Sequence, residues 1–193
     1  MGGPCFLVND LGEKQKAPPC TDNFQILTFS LNNDTWYSVE QCYQALKFSN
    51  LKFSTSSGLK IDASEMESNF INIRDMIPKD NETDSAFGMR AWKNGQKNRK
   101  IRPDWEQVKV EAMFIVNCAK YLYNKDACME LVSTASNGEN KIVGGASTWK
   151  WPEWNGKIQQ KIRDILMSGK NIEEGMLELK KVVSELNGKC IFA

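Results

Sequence analysis

A stripe of polar side chains on one predicted helix carries the residue types needed for acid–base and nucleophilic chemistry. Ser38 and Gln41, three residues apart, form a capping-box pattern, which predicts a helix over residues 38–49. At about 100° per residue, one side of this helix collects a carboxylate, a phenol, an amide and an amine: Glu40, Tyr43, Gln44 and Lys47. A carboxylate can stabilise developing positive charge or orient a water, and an amine can donate a proton, bind phosphate or condense with an aldehyde.

The opposite side of the same helix is apolar, because Val39, Cys42 and Leu46 recur at helical spacing. That side is predicted to face the core. The polar side has two interpretations: an ordinary solvated helix face, or the floor of a cleft. Two features favour the cleft. Glu40 lies in the first turn, where the helix dipole favours its anionic form, and Tyr43 is a costly side chain to leave in water.

The composition limits both the chemistry and the partners. The chain has 193 residues, of which 41% are hydrophobic, which indicates one globular domain with a substantial core. Its 25 Lys and Arg nearly balance its 24 Asp and Glu, so no net field attracts nucleic acid or an acidic membrane. The chain contains no His. This excludes Ser-His and Cys-His catalysis and imidazole metal sites.

Cysteine usage and targeting signals indicate a reducing compartment. The six cysteines include no C-x-x-C pair, so we expect no zinc site, and Cys42 and Cys118 fall in helical patterns as buried apolar residues. We find no secretory signal and no apolar run of ~18 residues, so we expect a cytoplasmic location, with the nucleus as an alternative. Residues 190–193 (CIFA) formally match C-a-a-X, but Phe192 is a poor fit and no polybasic stretch precedes it, so we expect no membrane attachment.

Hydrophobic patterning predicts a mostly helical chain with one small hairpin. Residues 1–19 lack periodicity and are predicted to form a flexible tail. Residues 24–31 predict a strand, which turns at residues 32–34 and returns at residues 35–37. Helices are predicted over residues 63–77 (with Ile73 and Ile77 facing the core), 86–92, 103–122, 126–133, from 155 onward and 172–186, with a short strand at 141–145.

Residues 36–48, WYSVEQCYQALKF, resemble the signature of the NADAR (YbiA-like) family, which reads approximately W/Y-x-S/T-x-E-H-Y/C-Y/F-Q-A-x-K-F. The resemblance covers residues 23–166, with a second strong segment at 99–105 and a weaker one at 147–163. The sequence departs from the family at Gln41, where His is usual, at Gln96, where Arg is usual, and at Lys150, where Gly is usual. The family implies a compact, mostly helical α+β domain with a small N-terminal hairpin or sheet, here over residues 20–187, between tails at 1–19 and 188–193.

Two further segments of the resemblance carry candidate binding residues. Arg102 is interpreted either as a phosphate clamp or as a surface charge, and Trp105 either as a core aromatic or as a stacking platform. Asp104 suits the first turn of the helix that follows. Three tryptophans fall in six residues of a predicted loop at 149–154, and aromatic clusters in loops tend to mark binding surfaces.

Members of this family are N-glycosidases, so the resemblance implies cleavage of the bond between a nitrogen and C1 of a phosphorylated ribose. The substrate would be a phosphorylated riboflavin-pathway intermediate, or ADP-ribose attached to guanine in a nucleotide or nucleic acid. The resemblance implies Glu40 and Lys47 as catalytic residues. It implies a substrate-binding set made of Asn23, Phe24, Tyr43, Gln44, Arg102, Asp104, Trp105, Trp149 and Trp151. We expect no cofactor and no metal. The alternative is a module that binds ADP-ribose or a nucleotide without cleaving it.

Overall fold

Helices make up most of the fold, and two small sheets complete it. The computed structural model describes residues 3–54, 56, 63–97, 101–135, 141–148 and 150–186. In chain order its elements are β1 (Cys5–Val8), β2 (Lys14–Lys16), β3 (Phe29–Leu31), β4 (Asp34–Trp36), α1 (Val39–Leu46), α2 (Ala63–Arg74), α3 (Asp84–Gln96), α4 (Trp105–Tyr123), α5 (Lys125–Ser133), β5 (Lys141–Gly144), α6 (Trp151–Met167) and α7 (Ile172–Glu185). The predicted α+β, mostly helical class is confirmed. Trp149 and residues 187–193 lie outside the described residues.

The first sheet has three antiparallel strands in the order β2, β1, β5. The prediction of a flexible tail over residues 1–19 is therefore wrong at β1 and β2. Cys5 and Leu7 are the buried side chains of β1, and Leu7 pairs with Ile142 of β5. The pattern was too short to recognise, because a four-residue strand supplies only two inward side chains and its partner lies far along the chain.

The second sheet is the predicted hairpin of β3 and β4. Its turn is confirmed at Asn32 and Asn33, whose φ values of 56° and 66° are left-handed, as a two-residue hairpin turn requires and Asn tolerates. The first strand is shorter than the predicted 24–31. The backbone N–H of Ile26 donates to Asp84 Oδ1 at 2.9 Å, so this stretch bonds to a carboxylate at the start of α3.

The predicted helices are present, with shifted ends. α3 begins two residues before its predicted start, because Thr83 caps it by accepting from Ala86 N at 3.3 Å. α6 begins at Trp151, four residues early, since Pro152 suits the first helical turn. The core position predicted for Ile77 is wrong: α2 ends at Arg74, and Ile77 is 62% exposed.

α1 lies at the centre of the molecule and is buried on every side. All eight of its residues are buried, and the helix packs against α2, α3 and α4. Its apolar side was predicted to face the core, which is confirmed by Val39, Cys42 and Leu46, each at most 2% exposed. The polar side is also covered by protein, so the interpretation as a solvated helix face is wrong.

α2, α3 and α4 enclose α1, and α6 reaches it through the contact of Trp151 with Tyr43. α6 packs tightly on β5, and Gly156 permits this approach because a Cβ there would lie 2.6 Å from Ile142 O. α4 and α6 share a buried polar contact in which Gln159 Nε2 donates to Asn117 Oδ1 at 2.9 Å. Polar side chains therefore occupy part of the inner face of α6, alongside the buried Ile158, Ile162 and Ile165.

The thiols inside this core are unreactive by environment. Cys42 and Cys118 are fully buried, as predicted, and burial raises the pKa of both thiols well above the ordinary value. Within the described ranges, no group of three His, Cys, Asp or Glu side chains is arranged to hold a metal ion. None of the helices in the described part of the chain combines the length and apolarity needed to cross a bilayer.

Candidate active site

The start of α1 is held by an extended capping arrangement. Ser38 Oγ accepts from Gln41 N at 3.1 Å, and Gln41 Oε1 accepts from Tyr37 N at 2.9 Å. The Gln41 amide nitrogen donates to three carbonyls at the end of α2 and just after it: Ile73 (3.0 Å), Arg74 (3.0 Å) and Met76 (2.7 Å). Gln41, at the position where the resembling family usually has His, therefore fixes the entry of α1 against the end of α2.

Glu40 is a fully buried carboxylate in the first turn of α1. Its backbone N–H donates to Asn23 O at 2.8 Å, and its Oε1 accepts from Gln44 Nε2 at 2.7 Å. Gln44 Oε1 in turn lies 3.4 Å from Gln96 Nε2. This line of amides sets the orientation of the carboxylate, and the dipole of α1 favours its anionic form. Gln44, which the resemblance implies as a substrate-binding residue, is thus in direct contact with Glu40.

Lys47 follows the last residue of α1 and is 8% exposed. Its Nζ donates to Gly95 O at 3.4 Å. Burial lowers the pKa of this amine from 10.5 to about 8, and the charges of Glu40 and Glu106 oppose the change. Roughly a tenth of the amine is then neutral at pH 7, against on the order of 1 in 3,000 for an ordinary lysine. A larger share of Lys47 than of a surface lysine is therefore in the neutral form that can act as a nucleophile.

Tyr43 joins the two catalytic candidates to a buried aromatic cluster. Its ring centroid lies 5.0 Å from that of Trp105 and 5.5 Å from that of Trp151, and each of these side chains is at most 7% exposed. Burial raises the pKa of the Tyr43 phenol well above its ordinary value, and the charge of Glu40 adds to this. The phenol is thus a hydrogen-bond donor at neutral pH.

The prediction that residues 149–154 form a loop is wrong for Trp151 and Trp154. Trp151 and Trp154 lie in the first turn of α6, and Trp151 is buried against Tyr43. The loop prediction failed because Pro152 is also a good residue for a helix start. Trp105 anchors the start of α4 against α1, which agrees with its interpretation as a core aromatic. The predicted stacking of Trp149 falls outside the described residues.

Arg102 and Asp104 are structural in this fold. Arg102 is 2% exposed, and its Nε and Nη2 donate to the two oxygens of Asp104 at 2.6 and 2.9 Å. Its remaining N–H groups donate to three acceptors in the segment after α1: Ser49 O (3.4 Å), Leu51 O (2.6 Å) and Ser56 Oγ (3.2 Å).

All five guanidinium N–H groups of Arg102 thus have protein acceptors, so neither the phosphate clamp nor the surface charge describes this residue. Its backbone N–H also donates to Lys47 O at 2.8 Å. Arg102 and Asp104 therefore position the end of α1, and we remove both from the set of direct binding residues.

Asn23 lies next to the start of α1, where its carbonyl accepts from Glu40 N, and Phe24 packs on α3. Asn23 is 1% exposed, and Phe24 is 9% exposed and packs on Gly88, where a Cβ would lie 2.3 Å from the ring. The Asn23 amide nitrogen lies 3.3 Å from Asn155 Oδ1. Asn155, on α6, was not among the predicted site residues.

Gly95 is a second residue of the site that sequence reasoning missed. A Cβ at this position would lie 1.9 Å from Gln44 Oε1, so only glycine lets Gln44 take the position from which it contacts Glu40. The available signal was a glycine inside α3, which costs about 1 kcal/mol relative to alanine and so indicates a close approach.

The structure thus brings a carboxylate, an amine, a phenol and several amides together in the interior. Three surface grooves among the described residues lie elsewhere. One of about 480 Å³ runs between β5 and α6 and is lined by Ile142, Pro152 and Lys157, with none of the predicted site residues. A buried cluster with a poised amine and an oriented carboxylate is the arrangement expected of an active site.

Comparison with known proteins supports the fold. No protein-family model matches the chain, and no curated protein matches its sequence. Among solved structures, the NMR structure of the E. coli protein YbiA matches with a TM-score of 0.54 and 21% sequence identity, covering 77% of this chain and 78% of YbiA. The architecture that the resemblance at residues 36–48 implied is therefore confirmed: this chain has a YbiA-like fold.

Proposed function

We propose that this protein is an N-glycosidase that hydrolyses the bond between C1 of a phosphorylated ribose and a nitrogen. The observation that carries the proposal is the burial of Glu40 and Lys47 on one side of α1, next to Tyr43 and Gln44. Burying an ionisable group is costly, and groups whose charge state is shifted by burial are concentrated at functional sites. The YbiA-like fold and the resemblance at residues 36–48 support the same activity.

Glu40 stabilises positive charge at C1 and handles protons. Breaking a C1–N bond develops oxocarbenium or iminium character on the sugar, and a fixed carboxylate lowers the energy of that state. Its contact with Gln44 holds the carboxylate in one orientation, so no reorganisation is needed during the reaction.

Lys47 acts as a nucleophile. Opening of the sugar ring makes C1 the carbon of an imine with the leaving nitrogen. The neutral Lys47 amine adds to C1, the nitrogen base departs with a proton, and water then hydrolyses the lysine imine to the free sugar and the amine. The lowered pKa of Lys47 favours this role over proton donation, because it increases the neutral fraction at pH 7.

The pH dependence of the reaction tests the role of Lys47. Because the neutral amine is the reactive form and its pKa is about 8, kcat/KM should rise with pH and level off above pH 8. Reduction with borohydride during turnover should trap the sugar on Lys47, as a mass increase in a peptide that contains this residue. A rate that falls as the pH passes 8 would instead assign the ammonium form as the proton donor.

Product analysis tests the proposed function directly. The protein is incubated with ADP-ribosylated guanosine and, separately, with a phosphoribosylated riboflavin-pathway intermediate, and the products are identified by mass spectrometry. We expect a free base and a free phosphorylated sugar from one of them. ADP-ribose bound intact in calorimetry, with no cleavage of either substrate after long incubation, would support the alternative of a binding module.

A further inference from the structure

Two buried asparagines, of which Asn23 is bonded through its backbone to Glu40, form an amide pair that is only half satisfied. Asn23 is 1% exposed and Asn155 is 3% exposed. The Asn23 amide nitrogen donates to Asn155 Oδ1 at 3.3 Å and also lies 3.5 Å from Met113 Sδ, a weak acceptor. Among the described residues, Asn23 Oδ1 and Asn155 Nδ2 have no hydrogen-bond partner.

The orientation of the two amides does not remove this deficit. If both amides are turned over, Asn155 donates to Asn23, and the pair still leaves one acceptor-type oxygen and one donor-type nitrogen without partners. Each unpaired buried polar atom costs about 1–3 kcal/mol. A polar pair retained at that cost indicates that another molecule completes it.

Both asparagines are connected to residues of the candidate active site. The carbonyl of Asn23 accepts from Glu40 N at 2.8 Å, so Asn23 is held to the turn of α1 that presents the carboxylate. Asn155 lies one turn along α6 from Trp151, whose ring packs on Tyr43. The amide pair is thus anchored on one side to the turn of Glu40 and on the other to the helix that carries Trp151.

The chemistry of the pair selects a small group that both donates and accepts. A hydroxyl group does this with a single oxygen, accepting from an amide N–H and donating to an amide oxygen. We propose that Asn155, together with Asn23, binds the 2-hydroxyl of the substrate ribose and selects ribosides over 2-deoxyribosides. The proposal rests on the proposed function, because C2 is the carbon next to the C1 on which Glu40 would act.

Affinity for two sugar phosphates tests this assignment without requiring turnover. Calorimetry with ribose 5-phosphate and with 2-deoxyribose 5-phosphate should show tighter binding of the first, on the order of tenfold or more, because a site built to bond a hydroxyl is left unpaired without it. Asn155→Ala should reduce that ratio to near one. Gln160→Ala is the matched control, since Gln160 lies on the same helix but its amide contacts Ile142 N and Asp164.

Several results would overturn the assignment. These are equal affinities in the wild-type protein, binding of neither sugar phosphate, or an unchanged ratio in Asn155→Ala. Asn155→Ser, which is small and polar, repeats the comparison if the alanine variant melts at a much lower temperature. Hydrolysis is measured separately. If the protein releases the base but the ratio of the two sugar-phosphate affinities does not depend on residue 155, only this inference is overturned. If that affinity ratio depends on Asn155 but no base is released, only the proposed glycosidase activity is overturned.

Discussion

Replacing Glu40 by glutamine should lower kcat/KM for base release by on the order of 10³-fold while the fold is retained. Glutamine has the same shape, and its side-chain oxygen can still accept from Gln44 Nε2, so the buried contact survives. Glutamine is uncharged, however, so the variant no longer stabilises positive charge at C1. Release of the free base, followed by chromatography and mass spectrometry, measures the effect.

Glu106→Gln is the matched control for this experiment. Glu106 is a carboxylate in the first turn of α4 whose charge also acts on Lys47, but its side chain is 78% exposed and pairs with Lys109. Its replacement should change the rate by less than a few-fold, because exposed charges are screened by solvent. Wild-type turnover in Glu40→Gln, in a protein with an unchanged melting temperature, would remove Glu40 from the mechanism.

Asp104→Ala should lower the free energy of unfolding by about 3–5 kcal/mol, because it leaves the guanidinium of Arg102 buried without its counter-ion. For a chain of this size, the melting temperature should fall by roughly 10 °C. The segment that follows α1 loses its anchor at the same time, so the position of Lys47 is also affected. Thermal and urea unfolding at pH 7 measure the change.

The effect of Asp104→Ala should depend on pH in a defined direction. Hydrogen bonds from Arg102 hold the pKa of the Asp104 carboxyl below its usual value. The stabilisation is therefore complete above the unfolded-state pKa near 4 and is lost as the pH falls through the folded-state pKa. The variant and the wild type should accordingly converge in stability at low pH.

Asp75→Ala provides the matched control, because it removes another Arg–Asp pair at the surface. Arg74 Nε and Asp75 Oδ1 lie 2.8 Å apart, with side chains 33% and 58% exposed. Its loss should cost less than about 1 kcal/mol. If Asp104→Ala were as mild as Asp75→Ala, the Arg102–Asp104 pair would not be what holds the segment after α1.

Local patterns predicted the helices, the hairpin of β3 and β4, and β5, but missed β1 and β2. Periodicity over a dozen residues identifies a helix such as α4 or α7, because each turn repeats the signal. β1 has four residues and β2 has three, so neither contains enough repeats to be recognised alone, whereas β5 was predicted at residues 141–145 and is present. The same limitation produced the tail predicted over residues 1–19.

In the candidate site, too, the sequence predicted what depends on neighbouring residues and missed what depends on distant ones. Glu40, Tyr43, Gln44 and Lys47 could be placed on one side of a helix from their spacing alone. Their burial could not, because it depends on α2, α3, α4 and Trp151 of α6, which come from other parts of the chain. Arg102 shows the same limit from the other side: its sequence context left a phosphate clamp and a surface charge open, but in the fold its guanidinium donors all meet protein acceptors.

By itself, the sequence determined the helical character of the chain, the chemical types on α1 and the resemblance that led to the YbiA-like fold, because each depends on residues close together in the chain. Only the tertiary structure decided that the polar side of α1 is enclosed, that Gly95 admits Gln44, and that Asn155 meets Asn23. Each of these depends on a contact between segments far apart in sequence, and burial, pKa and hydrogen bonding are set by such contacts.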